Sequence, residues 1–259
     1  MAKINDSYFE NKRVWITGAS SGIGKAVALE LGRRGARLAL TARGAEPLNQ
    51  VANQIGNDKC LIIPFDVTIR EENHKAVNQI KELWGGLDIV LFNAGTAEYI
   101  DINRFDAAVF ERTISTNFLS MVYGIEAVLP LLRDSTTAQL GGMSSTVSFS
   151  GIPRAEAYGA SKAAIRNMLQ GLRIHLIREN IDVFTVCPGF VRTPLTDKND
   201  FPMPLRIEAD EAAKIIADGI AKRKPEIHFP KAFSIPYKIL SYLPSGLYTR
   251  LMLKTVRSS

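Results

Sequence analysis

Short apolar runs alternate with longer stretches of helical periodicity from residue 14 to residue 187, and this alternation restricts the fold more than any other feature. Runs at 14–17, 36–41, 60–65, 88–92 and 181–187, with a weaker one at 139–144, read as strands buried on both faces. Between them lie helical stretches at 22–34, 46–55, 71–84, 106–132 and 157–179. In the last of these Ile165, Met168, Leu169, Leu172 and Leu176 form an apolar stripe opposite Arg166, Arg173 and Arg178. Strands joined through helices need right-handed crossovers, which cover the sheet on both sides. The expected class is therefore α/β, a doubly wound parallel sheet with its ligand at the carboxyl ends of the strands. A chain of 259 residues buries enough core for one domain, assigned to 1–229, followed by a tail of different character at 230–259.

The connection from the first apolar run to the first helix is Thr17-Gly18-Ala19-Ser20-Ser21-Gly22-Ile23-Gly24. Glycines here let the main chain approach a pyrophosphate closely, and the amino terminus of the following helix offers free N–H groups and a positive dipole end. A tight turn alone would also need glycine; the strand-turn-helix setting is what favours a dinucleotide. The second run closes on Thr41-Ala42-Arg43, with no acid to bond the ribose diol of NAD. Arg43 instead presents a planar cation to a 2'-phosphate, which favours NADP. The alternative is an arginine solvated at a strand end.

Far downstream, Tyr158 and Lys162 stand four residues apart in Tyr158-Gly159-Ala160-Ser161-Lys162, one helical turn, as a phenol beside an ammonium. Such a pair can exchange a proton with a substrate oxygen, given something that holds the phenolate.

Over residues 12 to 229 these features together resemble the short-chain dehydrogenase/reductase family. The glycine turn matches its cofactor loop, Asn93-Ala94-Gly95 its fourth-strand motif, Asn117 its helix asparagine, and Tyr158-x-x-x-Lys162 its active pair. Ser145, thirteen residues before Tyr158, matches its serine, chosen on spacing among Ser144, Ser145, Ser148 and Ser150. Pro188-Gly189, Val191 and Thr193 match the loop on the nicotinamide side, and Asp66-Val67 the pair beside the adenine, with Asp66 as a turn cap the other reading. The resemblance implies a Rossmann-like fold and an NADP(H)-dependent enzyme that moves a hydride between nicotinamide and a ketone, aldehyde or secondary alcohol. In that scheme Tyr158 is the proton donor, Ser145 bonds the carbonyl oxygen, and Lys162 bonds the nicotinamide ribose and, together with the positive oxidised nicotinamide, draws the phenol's pKa down from about 10. Asn117 is implied to hold a water linking Lys162 to solvent. Ile23 is implied to pack under the pyrophosphate, with Ser20 and Ser21 in the same loop. The family's departures here are Phe92, where a further Asn is common, and Gly141-Gly142 in an otherwise apolar strand. A protein of this fold that binds NADP as a sensor or scaffold without turnover is the other class considered; it tends to lack the tyrosine or the lysine, and both are present.

The net charge of +6 hints at nucleic acid until it is divided along the chain. Residues 230–259 hold Lys231, Lys238, Arg250, Lys254 and Arg257 and no acid, leaving 27 basic and 26 acidic side chains elsewhere. No basic face is expected on the body, and no nucleic-acid partner. The tail also carries Leu240, Leu243, Leu247 and Leu251 on one helical face, interrupted by Pro244 and Gly246. Two readings stand: the stripe packs on the protein's own cleft or on another subunit, or it lies on an anionic membrane surface as a peripheral contact. Such endings occur in relatives that handle lipophilic substrates. The long helices at 106–132 and 157–179 resemble those through which family members pair, so a homodimer or homotetramer is expected. Cys60 and Cys187 lie in apolar segments and read as buried free thiols; with a polar start and no run of 18 apolar residues, a cytoplasmic location is expected. His74, His175 and His228 lack ligand spacing, so no metal is expected. The irregular segment 196–206 reads as a substrate lid.

Overall fold

The computed structural model describes residues 6–255; the extreme ends, including Arg257 of the basic tail, lie outside the described residues. Seven parallel strands form one sheet in the order β3-β2-β1-β4-β5-β6-β7: β1 Arg13–Thr17, β2 Arg37–Thr41, β3 Cys60–Ile62, β4 Ile89–Phe92, β5 Gln139–Met143, β6 Asp182–Pro188 and β7 Glu226–Phe229. The chain reverses its direction of travel across the sheet between β1 and β4, which pair directly, and that reversal opens a crevice at their carboxyl ends.

Alternation along each strand divides the core in two. Val14 and Ile16 of β1, Leu38 and Leu40 of β2 and Leu91 of β4 face α1 (Gly22–Arg33), α2 (Ala45–Ile55) and α7 (Ala209–Ala221). Trp15, Ala39 and Val90 point the other way, against α3 (Arg70–Trp84), α5 (Ser120–Arg133) and α6 (Glu156–Leu176). The period-two side-chain alternation of a strand thus serves two helical layers at once. The anticipated α/β doubly wound sheet is the fold observed.

The helical stretch expected over 106–132 is divided. α4 (Ala107–Ile114) runs into a π-turn over Ser115–Leu119 before α5 begins. By length and composition the run 107–133 is apolar enough to cross a membrane, yet Met121, Ile125, Val128 and Leu131 belong to the sheet's core. α7 was not anticipated, although Ala212, Ala213, Ile216, Ala217 and Ile220 recur at helical spacing and are buried. The third strand is shorter than its apolar run, and Cys60 is half-buried, whereas Cys187 is fully buried; both are free thiols. Both family departures have packing reasons. A Cβ on Gly141 would lie 2.0 Å from the Phe184 ring, and one on Gly124 2.3 Å from Phe92, so the missing side chains make room for aromatic rings.

The tail forms two helices, α8 (Lys231–Leu240) and α9 (Ser245–Met252), separated at Pro244. Phe233, Ser234 and Tyr237 of α8 turn toward the body, where the Tyr237 hydroxyl donates to the Ser150 carbonyl at 3.0 Å and Lys238 pairs with Glu226 at 2.6 Å. On α9 the inward hydroxyl is that of Tyr248, donating to the Gly151 carbonyl at 2.6 Å. The leucine stripe does not form the packed face: Leu247 is 46% and Leu251 39% exposed, because the break at Pro244 rotates α9 out of register with α8.

Candidate active site

The glycine turn is held by the neighbouring strand. Thr17, buried at the end of β1, accepts at Oγ1 from the backbone N–H groups of Asn93 (3.0 Å) and Ala94 (3.1 Å). Asn93 Nδ2 returns bonds to the carbonyls of Thr17 and Gly18, both 3.1 Å. Gly18 has φ +67°, and a Cβ there would stand 2.8 Å from Ala94 Cα; at Gly24 it would stand 2.2 Å from the Gly18 carbonyl oxygen. No other residue fits at Gly24 without moving main chain, so the turn is a cradle that exposes backbone N–H groups at the start of α1.

A cleft of about 970 Å³ opens at the carboxyl edge of the sheet. Gly18, Ser20, Ser21, Gly22, Ile23, Arg43, Asp66, Val67, Asn93, Ala94, Gly95, Ser145, Tyr158, Lys162, Pro188, Gly189, Val191 and Thr193 all line it. Arg43 is exposed just beyond β2 and helps hold the Asp66 carboxyl below its ordinary range, although the larger cause is the Thr68 N–H. Asp66 Oδ1 accepts from Thr68 N at 2.9 Å and Thr68 Oγ1 at 2.7 Å, the turn-capping geometry. Asn93 is likewise turned toward the glycine turn with its amide nitrogen, so it contributes to the cleft by holding its floor.

At the other end of the cleft, β5 and α6 carry the reactive groups. Ser145 caps the short 3₁₀ turn Thr146–Phe149, its hydroxyl accepting from Val147 N and donating to the Pro188 carbonyl, both at 3.3 Å. Ser145 also lies close enough to the Tyr158 phenol to act on its pKa, whereas Ser144 donates instead to the Lys162 carbonyl at 2.8 Å and ties α6 to β5. Ser148 donates to the Ser145 carbonyl. Of the clustered serines, then, Ser145 is the one that meets the tyrosine.

Lys162 is 4% exposed, and its ammonium donates to the Met143 carbonyl at 2.8 Å, 5.7 Å from the centre of the Tyr158 ring. Burial lowers its pKa to about 8. Burial likewise pushes the half-exposed ring's phenol up to about 12; Ser145 opposes that rise, while Tyr99 and Cys187 add to it. Among the protein's own groups desolvation dominates, and the ammonium donates to a main-chain carbonyl; the expected lowering rests on the positive nicotinamide as well as on Lys162. In this state the phenol is a protonated donor and the lysine a cation poised near neutrality.

Asn117 lies behind the cleft and does not line it. It sits fully buried in the π-turn, a helical irregularity often found at functional sites. Its Oδ1 accepts from Thr96 N at 2.7 Å, and its Nδ2 donates to Thr96 O at 3.0 Å and Ser161 Oγ at 2.9 Å. Both amide protons are thus committed, and the side chain braces the loop after β4 against α6. Sequence reasoning had no access to Met143, whose contribution is a backbone carbonyl. It also passed over Tyr99 and the cleft-lining Ser115 and Thr116, which sit in segments without a recognisable code.

A family model described as short chain dehydrogenase matches residues 12–202, which contain the whole cleft edge just described. The chain belongs to the short-chain dehydrogenase family. As a short-chain dehydrogenase it is an oxidoreductase that works with a nicotinamide coenzyme. Relatives include an uncharacterized oxidoreductase of Myxococcus xanthus, 32% identical over 235 residues, covering 90% of this chain and 93% of the relative. An uncharacterized oxidoreductase of Staphylococcus epidermidis is 30% identical over 222 residues, covering 86% and 94%. The crystal structure of levodione reductase superposes with a TM-score of 0.80 over 88% of this chain and 99% of that one, at 23% identity, a likeness of fold. Within this family the turn fits the coenzyme: Gly18, Ser20, Ser21 and Gly22 line the cleft at the start of α1, Gly24 packs behind them against the Gly18 carbonyl, and Lys162 and Tyr158 stand at the far end of the same cleft.

Proposed function

We propose that this short-chain dehydrogenase is an NADP(H)-dependent carbonyl reductase, or in reverse an alcohol dehydrogenase, for apolar ketones, aldehydes or secondary alcohols. The observation that carries the reading is the convergence of Tyr158, Ser145 and Lys162 in the cleft that also holds the glycine turn and Arg43. The coenzyme, when bound, supplies or accepts the hydride. Gly18 to Gly24 and Asn93 to Gly95 would hold its phosphates and ribose, and Pro188, Gly189, Val191 and Thr193 would flank its nicotinamide. Arg43 answers a 2'-phosphate, and the absence of an acid after β2 leaves nothing to select the free diol.

For reduction, Tyr158 keeps its proton far above neutral pH and delivers it from the hydroxyl to the substrate oxygen. Ser145 donates to that same oxygen and stabilises the charge that develops there. Lys162, cationic below about pH 8 and 5.7 Å from the centre of the Tyr158 ring, favours the phenolate left once that proton has been delivered.

The apolar substrate class is supported by a continuous run of aromatic rings. Tyr99, close enough to Tyr158 to raise its pKa, meets Phe201 at 5.4 Å; Phe201 meets Phe190 at 6.2 Å, Phe190 meets Phe233 at 5.5 Å and Phe233 stacks on Tyr237 at 5.9 Å. The segment 196–206 is clamped over this wall by a Tyr99–Asn199 hydrogen bond of 2.8 Å and an Arg154–Asp200 ion pair of 3.1 Å. A panel of apolar and polar carbonyl compounds, followed by nicotinamide absorbance with NADPH and with NADH, tests the reading. Turnover of apolar carbonyls with NADPH is expected; turnover of polar ones alone, or with NADH alone, would refute it.

A further inference from the structure

Six of the fifteen exposed large apolar side chains among the described residues fall within 235–253: Ile235 (47%), Ile239 (65%), Tyr242 (77%), Leu247 (46%), Leu251 (39%) and Leu253 (62%). Two surfaces of α8 are apolar. Phe233 and Tyr237 belong to the aromatic wall, where Phe233 reaches toward Gly189 of the active cleft. Ile235 and Ile239, four apart, with Tyr242 three further on, form the opposite surface, and no part of the described chain covers it. A surface helix ordinarily buries one stripe and leaves the other polar. Here the outer face has the apolar composition of a contact.

Charge identifies what that contact is. Residues 230–259 carry five basic side chains and no acidic one, while the rest of the chain is nearly balanced at 27 against 26. Lys231 is held by His228 at 2.9 Å and Lys238 by Glu226 at 2.6 Å, but Arg250 and Lys254 stand exposed beside Leu247, Leu251 and Leu253. An apolar surface bordered by cations complements an anionic lipid surface, whose headgroups meet the charges while its acyl region takes the apolar side chains. A second copy of the chain complements it poorly, since two tails face to face oppose cation with cation. We propose that α8 and α9 dock the enzyme onto anionic bilayers, with Ile235, Ile239, Tyr242, Leu247 and Leu251 at the acyl boundary and Arg250 and Lys254 at the phosphates.

Beneath α9 an apolar cavity of about 720 Å³ runs between Tyr248, Met252 and Leu253 and the start of α6 at Ala160 and Ala163.

Flotation of the full-length protein with vesicles tests the proposal, using phosphatidylcholine alone and phosphatidylcholine with about one third phosphatidylserine. The wild type is expected to float with the anionic vesicles and to be released by high salt. Arg250→Glu with Lys254→Glu should weaken that partition about tenfold or more. Ile239→Asp with Tyr242→Asp should weaken it comparably, with an unchanged melting temperature as the control for folding. A wild type that stays at the bottom of the gradient with both vesicle types overturns the proposal. So does full flotation of the Ile239→Asp, Tyr242→Asp protein, or light scattering in which those substitutions dissolve an oligomer that never bound vesicles. No substrate enters the assay, so its result is independent of the carbonyl reductase reading.

Discussion

The two ends of the cleft are built on different principles. At the glycine turn, tolerance is set by main chain: Gly18 and Gly24 approach Ala94 and Gly18's own carbonyl so closely that a single methyl cannot enter, and Thr17 and Asn93 knit the turn to β4. Beside Tyr158, rings from four separate segments lean on one another at 5.4 to 6.2 Å, and the segment 196–206 is pinned by side chains that are half-buried or exposed. Backbone geometry admits almost no variation, whereas ring contacts accept replacement at modest cost. One end of the cleft therefore tolerates little change in shape and the other considerably more. Between them Tyr158 and Lys162 belong to α6, which Ser144 and Met143 bind to β5.

The largest break in this contrast should come at its junction. Tyr158→Phe is expected to cut kcat by about 10³-fold or more while NADPH affinity, measured by fluorescence titration, changes less than about threefold. Second in size is Gly24→Ala, whose added Cβ displaces the turn. NADPH affinity should fall about 100-fold, and thermal denaturation should show a loss of about 1–3 kcal/mol, the cost of overpacking. Arg43→Asp should alter selectivity more than total activity, shifting the NADPH to NADH ratio of kcat/KM by about tenfold or more toward NADH.

Smaller effects sharpen the comparison. Reduction should slow as pH rises through about 8, because Lys162, whose pKa burial has lowered, is charged below that value and neutral above it. In Lys162→Met the break near pH 8 should vanish from the rate profile. Phe201→Ala, among the rings beside Tyr158, should raise KM for an apolar ketone about fivefold, the equivalent of about 1 kcal/mol of ring contact, and leave NADPH affinity unaltered. An equal loss of NADPH affinity would mean that the two ends are not separable.

Legibility in the sequence follows the same division. The glycine turn could be read because main-chain demands are met by only one residue type, and φ of +67° at Gly18 is such a demand. Tyr158 and Lys162 could be read because helical spacing places them together without help from elsewhere. Asn117 could be marked but its setting could not: the π-turn arises from how α4 and α5 meet α6, and one inserted residue in a turn leaves no periodic trace. Met143 was invisible because any residue supplies a carbonyl. The leucine stripe of the tail could be marked but not placed, since Pro244 separates its two helices and Tyr248 of the second is turned inward to the Gly151 carbonyl.

Local chemistry along the chain was sufficient for the alternation of strand and helix, the glycine turn, the Tyr158–Lys162 pair and the placement of excess charge in the last thirty residues. Each rests on neighbours within a turn or a strand, where periodicity and backbone sterics act directly. Assembly in three dimensions chose Ser145 over its neighbours, raised the phenol and lowered the ammonium by burying both, and turned the apolar outer face of α8 to solvent. Those properties depend on desolvation and on contacts between segments tens of residues apart, and no local pattern carries that information.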